Sequence, residues 1–205
     1  VKLHALYRAM TMTMASSSGD EAIDTFVRSE RIQDDLREFC AGKIPEPFNA
    51  VVREFCSFDP DTEFRAFVSK GRLTAITQYN EFCFFPVMLG CLGEIEAAIR
   101  GVMEREVLPI LPLESAVVDL LLVRNGRSHS REEHGPDRFR NLGVRVVELN
   151  PLAEFAGVGL FTWEHDRAVL IGDAPFEFRV RRTVNPDARS GLGPAVLSFL
   201  DKAHL

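Results

Sequence analysis

Two apolar runs of this chain are each broken by a carboxylate: Val117-Val118-Asp119-Leu120-Leu121-Leu122-Val123 and Val146-Val147-Glu148-Leu149-Asn150-Pro151. An ionised acid taken out of water is strongly disfavoured unless it is paired or binds a cation. Two such breaks in consecutive strand-like runs therefore point to something positive between them. Side chains alternate along a strand, so Glu148 and Asn150 share a face, roughly 6.5 to 7 Å apart. Asp119, Glu148 and Asn150 form an all-oxygen donor set. Such a set suits hard Mg²⁺ carrying nucleotide phosphates better than a soft transition metal. The competing reading is structural, with salt bridges to arginines such as Arg145 and a strand-ending Asn150-Pro151 turn.

Arg65 sits in a third strand-like run, Glu63-Phe64-Arg65-Ala66-Phe67-Val68. Its guanidinium fork matches phosphate oxygens, and an ion pair with Glu63 two residues away is the alternative. Arg179, Arg181 and Arg182 read as a basic strand edge, either a docking surface or a solvated edge that blocks sheet pairing. His129 and His134, with Glu132 and Glu133, imitate a metal site within a charge-dense stretch from Arg124 to Gly143 that reads as a mobile, solvated hairpin loop. Cys40, Cys56, Cys83 and Cys91 lack a CxxC pair and neighbour apolar residues. They read as reduced core thiols of an intracellular protein, without a nucleophilic role.

The elements that must position these residues are legible from periodicity. Ser18 can cap a helix through Ile23 and Val27, and Ser29 a second through Ile32, Leu36 and Phe39. After a Gly42 to Pro47 break come strands at Asn49 to Phe55, Glu63 to Ser69 and Leu73 to Gln78, the last two joined by a tight Lys70-Gly71-Arg72 connection. Leu92, Ile95, Ile99, Val102 and Met103 recur at helical spacing over about 91 to 107, before Pro109 and Pro112. The two acid-bearing strands follow. Later strands are expected at Leu160 to Trp163, Ala168 to Ile171 and Phe176 to Val180, and a closing helix near Pro194 to Ala203. Antiparallel strands with inserted helices make the fold class α+β.

Composition narrows the function classes. With 205 residues, 46% of them hydrophobic, the chain can bury a real core. A formal net charge of -6 argues against a surface built to neutralise nucleic-acid phosphates. No apolar run approaches the roughly 18 to 20 residues of a membrane span. No nucleic-acid or membrane partner is expected, and the location is expected to be cytoplasmic. The chain opens on Val1-Lys2-Leu3 without a methionine or signal-peptide pattern. A preceding part of the protein is expected.

Several stretches carry a resemblance in a fixed order: Val52-Arg53-Glu54-Phe55, Asp59-Pro60, Glu63 to Val68, Leu73-Thr74-Ala75-Ile76-Thr77-Gln78, Val117-Val118-Asp119, Glu148-Leu149-Asn150-Pro151 and Leu160-Phe161-Thr162-Trp163-Glu164. Together they resemble the cell division cycle protein 123 family, which has an ATP-grasp fold. The resemblance implies residues 1–48 as the end of an N-terminal lobe and 49–205 as the C-terminal lobe. It implies ATP and Mg²⁺ as cofactors, with Asp119, Glu148 and Asn150 on the metal and Arg65 on the phosphates. Lys2, on what resembles the family's lysine-bearing strand, would join the phosphates, and the backbone of Val52, Arg53 and Glu54 would receive adenine. The family's usual metal-site Asp is here Glu148, and its Gln-Arg-Asp is here Gln78-Tyr79-Asn80. The implied activity is assembly of translation initiation factor 2, one of whose subunits would be the partner. A carboxylate-amine ligase acting through an acyl phosphate is the alternative within the same fold.

Overall fold

The computed structural model describes residues 2–13, 15–43, 51–124 and 139–188, together with 193, 194, 197, 198 and 201. Two compact units are present, Val1–Arg8 with Phe58–Leu205, and Ala9–Ser57. The expected lobe boundary at 48/49 and the histidine-bearing loop lie outside the described residues.

The larger unit is built on β1 (Glu63–Ser69), β2 (Arg72–Gln78), β3 (Ala116–Arg124), β4 (Leu142–Asn150) and β5 (Glu177–Arg179). These form one sheet in the order β4-β3-β1-β2-β5, antiparallel except for the parallel β2–β5 pair. The expected α+β class, a mostly antiparallel sheet with inserted helices, is what the chain adopts. Lys70 and Gly71, at φ 54° and 69°, close the β1–β2 hairpin. Two consecutive left-handed residues define the turn whose twist matches paired strands.

Alternation along the strands feeds two cores. Phe64, Ala66 and Val68 of β1, with Val118, Leu120 and Leu122 of β3, pack against Ile95 and Ile99 of α4 (Leu92–Val102). Phe67, Ala75 and Val117, on the opposite face, pack against Phe161 and against Val169 and Leu170 of α5 (Trp163–Leu170). A bulge in β2 frees the Thr74 hydroxyl to donate to Phe67 O at 3.2 Å and Leu170 O at 2.8 Å, which ties α5 to the sheet.

Gly159 brings the backbone close against the sheet. It has φ +61°, and a Cβ there would lie 2.6 Å from Thr77 Cγ2. Next to it, Leu160 N–H donates to the Thr77 hydroxyl at 3.3 Å. Gly159→Ala is expected to destabilise the chain by about 1–3 kcal/mol, the scale of a strained left-handed residue plus a displaced contact. Urea unfolding at pH 7 reads this directly; an unchanged midpoint would show that the loop tolerates a methyl group.

In the smaller unit, α2 (Gly19–Arg28) and α3 (Glu30–Cys40) begin at the expected caps. The Ser18 hydroxyl accepts from Glu21 N–H, and the Ser29 hydroxyl from Ile32 N–H. Neither helix buries a residue.

Four expectations fail in the structure. The opening residues form α1 (Lys2–Met12), so Lys2 starts a helix rather than a strand. Leu3 and Tyr7, one turn apart, pack on the first core; that spacing and the run of Leu, Ala, Arg and Met favour helix over alternation. Residues 51–55 form no strand: Val51 and Val52 are 80% and 86% exposed, and no neighbouring strand pairs their backbone among the described residues. Neither Leu160 to Trp163 nor Ala168 to Ile171 is a strand. Thr162 accepts from His165 N–H and starts α5 there, an N-cap hidden inside an apolar, aromatic stretch. Of the cysteines, Cys83 and Cys91 are buried as expected but Cys40 is exposed.

Candidate functional site

Strand register assembles the site. Arg65 of β1 lies opposite Thr77 of β2 and Asp119 of β3, Asp119 lies opposite Glu148 of β4, and Thr77 opposite Arg179 of β5. One polar row therefore crosses all five strands, on the face that also carries Phe67, Ala75 and Val117. Alternation within each strand puts these side chains on that face, and pairing brings them side by side.

At the centre, Arg65 grips Asp119 with both arms of its fork. Nε donates to Oδ1 at 2.7 Å and Nη2 to Oδ2 at 2.9 Å. Both side chains are largely withdrawn from solvent, at 13% and 3% exposure. The remaining arm donates to the Gly157 carbonyl, and the Tyr79 ring lies 4.8 Å from the guanidinium carbon. Burial, the largest single influence, opposes the Arg65 charge, but the hydrogen bonds and charge of Asp119, with Tyr79 and Glu148 adding, together raise its pKa. Asn150 Nδ2 donates to Asp119 Oδ2 at 3.1 Å. Asp119 and Asn150, grouped in the sequence as metal ligands, are in contact, and the acid–arginine ion pair that the sequence offered as the competing reading forms between Asp119 and Arg65.

Three carboxylates interact electrostatically here. Besides Asp119 and Glu148, Glu63 lies two residues before Arg65 on the same face, opposite Leu121. Burial pushes its carboxyl up to about 7, Asp119 pushes the same way, Arg65 opposes, and Glu148 adds to the rise. Tyr79, whose N–H donates to the Glu63 carbonyl at 2.9 Å, is likewise raised by burial and then by Glu63. Negative charge thus exceeds what Arg65 compensates at Glu63.

The Glu63 shift carries a sign. Its folded pKa lies above the unfolded value of 4.5, so the folded state holds the proton more tightly. The resulting stabilisation is full below about 4.5 and is lost as pH rises through about 7. Glu63→Gln removes this titration and is expected to leave the variant about 1–3 kcal/mol more stable than the parent at pH 8, the upper bound following from about 1.4 kcal/mol per pKa unit. Urea midpoints at pH 5, 6, 7 and 8 test it; parallel pH profiles for the two proteins would contradict it.

The donor set can accept a cation. A carboxylate offers about four lone-pair sites. Asp119 uses one on Oδ1 and two on Oδ2. Oδ1 retains capacity for a further partner. Among the described residues, no group of three or more His, Cys, Asp or Glu is arranged to hold a metal ion. The candidate set differs in kind, with two acids and an amide.

A second polar node closes the far end of the row. Arg179 donates from Nη2 to Asp166 Oδ1, and the same nitrogen lies 2.7 Å from Glu177 Oε2. Its guanidinium carbon sits 4.1 Å from the Phe161 ring centroid. Asp166, held below the usual carboxylate range first by Arg179, also accepts Thr162 N–H at 2.8 Å and so helps cap α5. Arg179 is therefore a fastening of the α5 segment, and of the three arginines only Arg182 is exposed.

Sequence reasoning missed Glu63 as a site acid, Tyr79 as its cover and Gly157 as an Arg65 acceptor. Only the Glu63–Arg65 spacing gave a signal. Lys2 stands on α1, while Val52, Arg53 and Glu54 belong to the smaller unit and Arg65, Asp119, Glu148 and Asn150 to the larger.

Comparisons with known proteins follow the same region. The D123 family model matches residues 5–189. A translation initiation factor eIF2 assembly protein of Xenopus laevis is 22% identical over 169 residues, covering 80% of this chain and 45% of that protein. Its Danio rerio counterpart is 25% identical over 162 residues, covering 76% and 42%. The structure of Cdc123 from Schizosaccharomyces pombe superposes with a TM-score of 0.60 at 18% identity, covering 81% of this chain and 63% of that one. The chain spans less than half the length of these two curated relatives.

Proposed function

The chain belongs to the D123 family, and from that premise we propose that it serves as an ATP-binding assembly chaperone for translation initiation factor eIF2. The observation that carries the nucleotide part is the acid group on one sheet face, with Asp119 buried, Glu63 partly buried and Glu148 exposed, in which burial and then Asp119 raise Glu63 to about 7 despite Arg65. A divalent cation would relieve that excess. The part concerning eIF2 rests on relatives described as eIF2 assembly proteins.

In this reading Asp119, Glu148 and Asn150 hold Mg²⁺. Arg65 orients Asp119 through its fork and offers a cation to phosphate oxygens. Lys2 is the further phosphate contact, as family resemblance implies. Bound Mg²⁺-ATP supplies concentrated charge that can order the surface presented to an initiation-factor subunit. The site is proposed to work in the cytoplasm as a binding switch, without nucleic acid or membrane as partner. No described helix is long and apolar enough to cross a membrane.

Isothermal titration of the chain with ATP tests this. The expected result is saturable one-to-one binding in Mg²⁺ that disappears with EDTA. Binding indifferent to EDTA would remove the metal from the reading. ADP release on adding amino acids or peptides would replace the chaperone with a carboxylate-amine ligase.

A further inference from the structure

β5 is the terminal strand of the sheet. It pairs with β2 on one side, through Ala75, Ile76 and Thr77, and its other edge pairs with no strand among the described residues. Beside β5 lies a shallow cleft of about 370 Å³, lined by Leu160, Phe178 and Val180 and by Arg179, Arg181 and Arg182. Arg179 is already neutralised by Asp166 and Glu177. Arg181 and Arg182 have no carboxylate partner among the described residues. Arg181 is instead pinned by backbone-directed bonds, its N–H donating to Gln78 Oε1 at 2.8 Å and its Nε to Glu81 O at 2.9 Å. Arg182 is exposed.

The local charge runs against that of the whole chain. Acidic residues outnumber Lys and Arg, 30 to 24, yet residues 178–186 (FRVRRTVNP) contain three arginines and no acid. Uncompensated cations next to an apolar cleft and an open strand edge select an occupant with three properties. It must offer backbone amides to the edge, apolar side chains to Leu160, Phe178 and Val180, and carboxylates to Arg181 and Arg182. We propose that this edge docks an acidic peptide segment of a partner protein in extended conformation, by strand addition to β5. A nucleic acid meets the charge requirement but brings no amide ladder, and it would approach a protein of net charge -6. This site lies on different residues from the acid cluster and stands without nucleotide.

The test uses the 205-residue chain and three fluorescein-labelled probes: an eight-residue peptide alternating Glu and Val, the same peptide with Gln for Glu, and a fifteen-residue oligothymidylate. The Glu/Val peptide is expected to bind saturably by fluorescence anisotropy and to shift backbone amide resonances of residues 177–183. Arg182→Glu alone, at an exposed position, is expected to weaken it several-fold, and Arg181→Glu with Arg182→Glu about tenfold or more. Thermal unfolding confirms that the variants remain folded, and the amide shifts in the parent chain decide the matter if they do not. The proposal is overturned if the Glu/Val peptide does not bind, if the Gln/Val peptide binds equally well, if the oligothymidylate binds as tightly, or if the shifted amides lie away from β5.

Discussion

Arg65→Ala is expected to destabilise the larger unit by about 3–5 kcal/mol, because it strands Asp119 without its bidentate partner. The size follows from geometry: Asp119 is 3% exposed and receives two of its three hydrogen bonds from Arg65. Arg65 also holds the Gly157 carbonyl, so the segment leading to Gly159 and α5 loosens with it. A buried pair can nevertheless be replaced as a unit at little cost, since removing both charges also removes both desolvation penalties. Arg65→Met combined with Asp119→Leu is therefore expected to recover most of the lost stability while destroying the site. Urea unfolding of the parent, the single variant and the double variant measures both effects. A single-variant loss below about 1 kcal/mol would mean that water or another group already serves Asp119 and that the pair is only a surface contact.

The second large effect concerns binding. Asp119→Asn with Glu148→Gln keeps side-chain size but removes two formal charges from the cluster and replaces one acceptor oxygen of each carboxylate with a donor amide. Under the proposed reading, Mg²⁺-ATP affinity is expected to fall about 100-fold or more, equivalent to about 2.7 kcal/mol or more. Loss of a carboxylate removes both a metal ligand and the negative field that attracts the cation. The apparent pKa of Glu63 should fall at the same time, because Asp119 and Glu148 both act to raise it. Titration calorimetry for the nucleotide and carboxyl NMR for Glu63 give separate readouts. Unchanged affinity together with a lowered Glu63 pKa would show that the cluster is electrostatically real but not the nucleotide site.

Much of this architecture was visible in the chain because it rests on short-range patterns. Ser18 and Ser29 cap their helices by local hydrogen bonds, Lys70-Gly71 sets a two-residue hairpin, and the α4 stripe repeats at helical spacing. Asp119, Glu148 and Asn150 stood out because polar groups in apolar strands require an explanation. Their partner did not stand out. Arg65 and Asp119 are 54 positions apart, and only the β1–β3 register places them opposite each other. Local reading offered the neighbour Glu63 instead, a residue whose own importance comes from burial and from charges on two other strands. The errors were also local in origin. Residues 51–55 are rich in strand-forming side chains but find no pairing edge among the described residues, and the Leu160 to Trp163 run conceals a threonine cap. Resemblance to a strand-borne lysine misread Lys2, whose neighbours Leu3 and Tyr7 are spaced for a helix.

The central claim is that Asp119, Glu148 and Asn150 hold the metal of a bound nucleotide beside Arg65. A crystal structure of the chain grown with Mg²⁺-ATP tests it most directly. The account predicts Mg²⁺ at about 2.0–2.1 Å from oxygens of Asp119, Glu148 and Asn150, with phosphate oxygens within reach of Arg65. Nucleotide bound elsewhere, with no metal on these three residues and the Arg65–Asp119 pair unchanged, would contradict it.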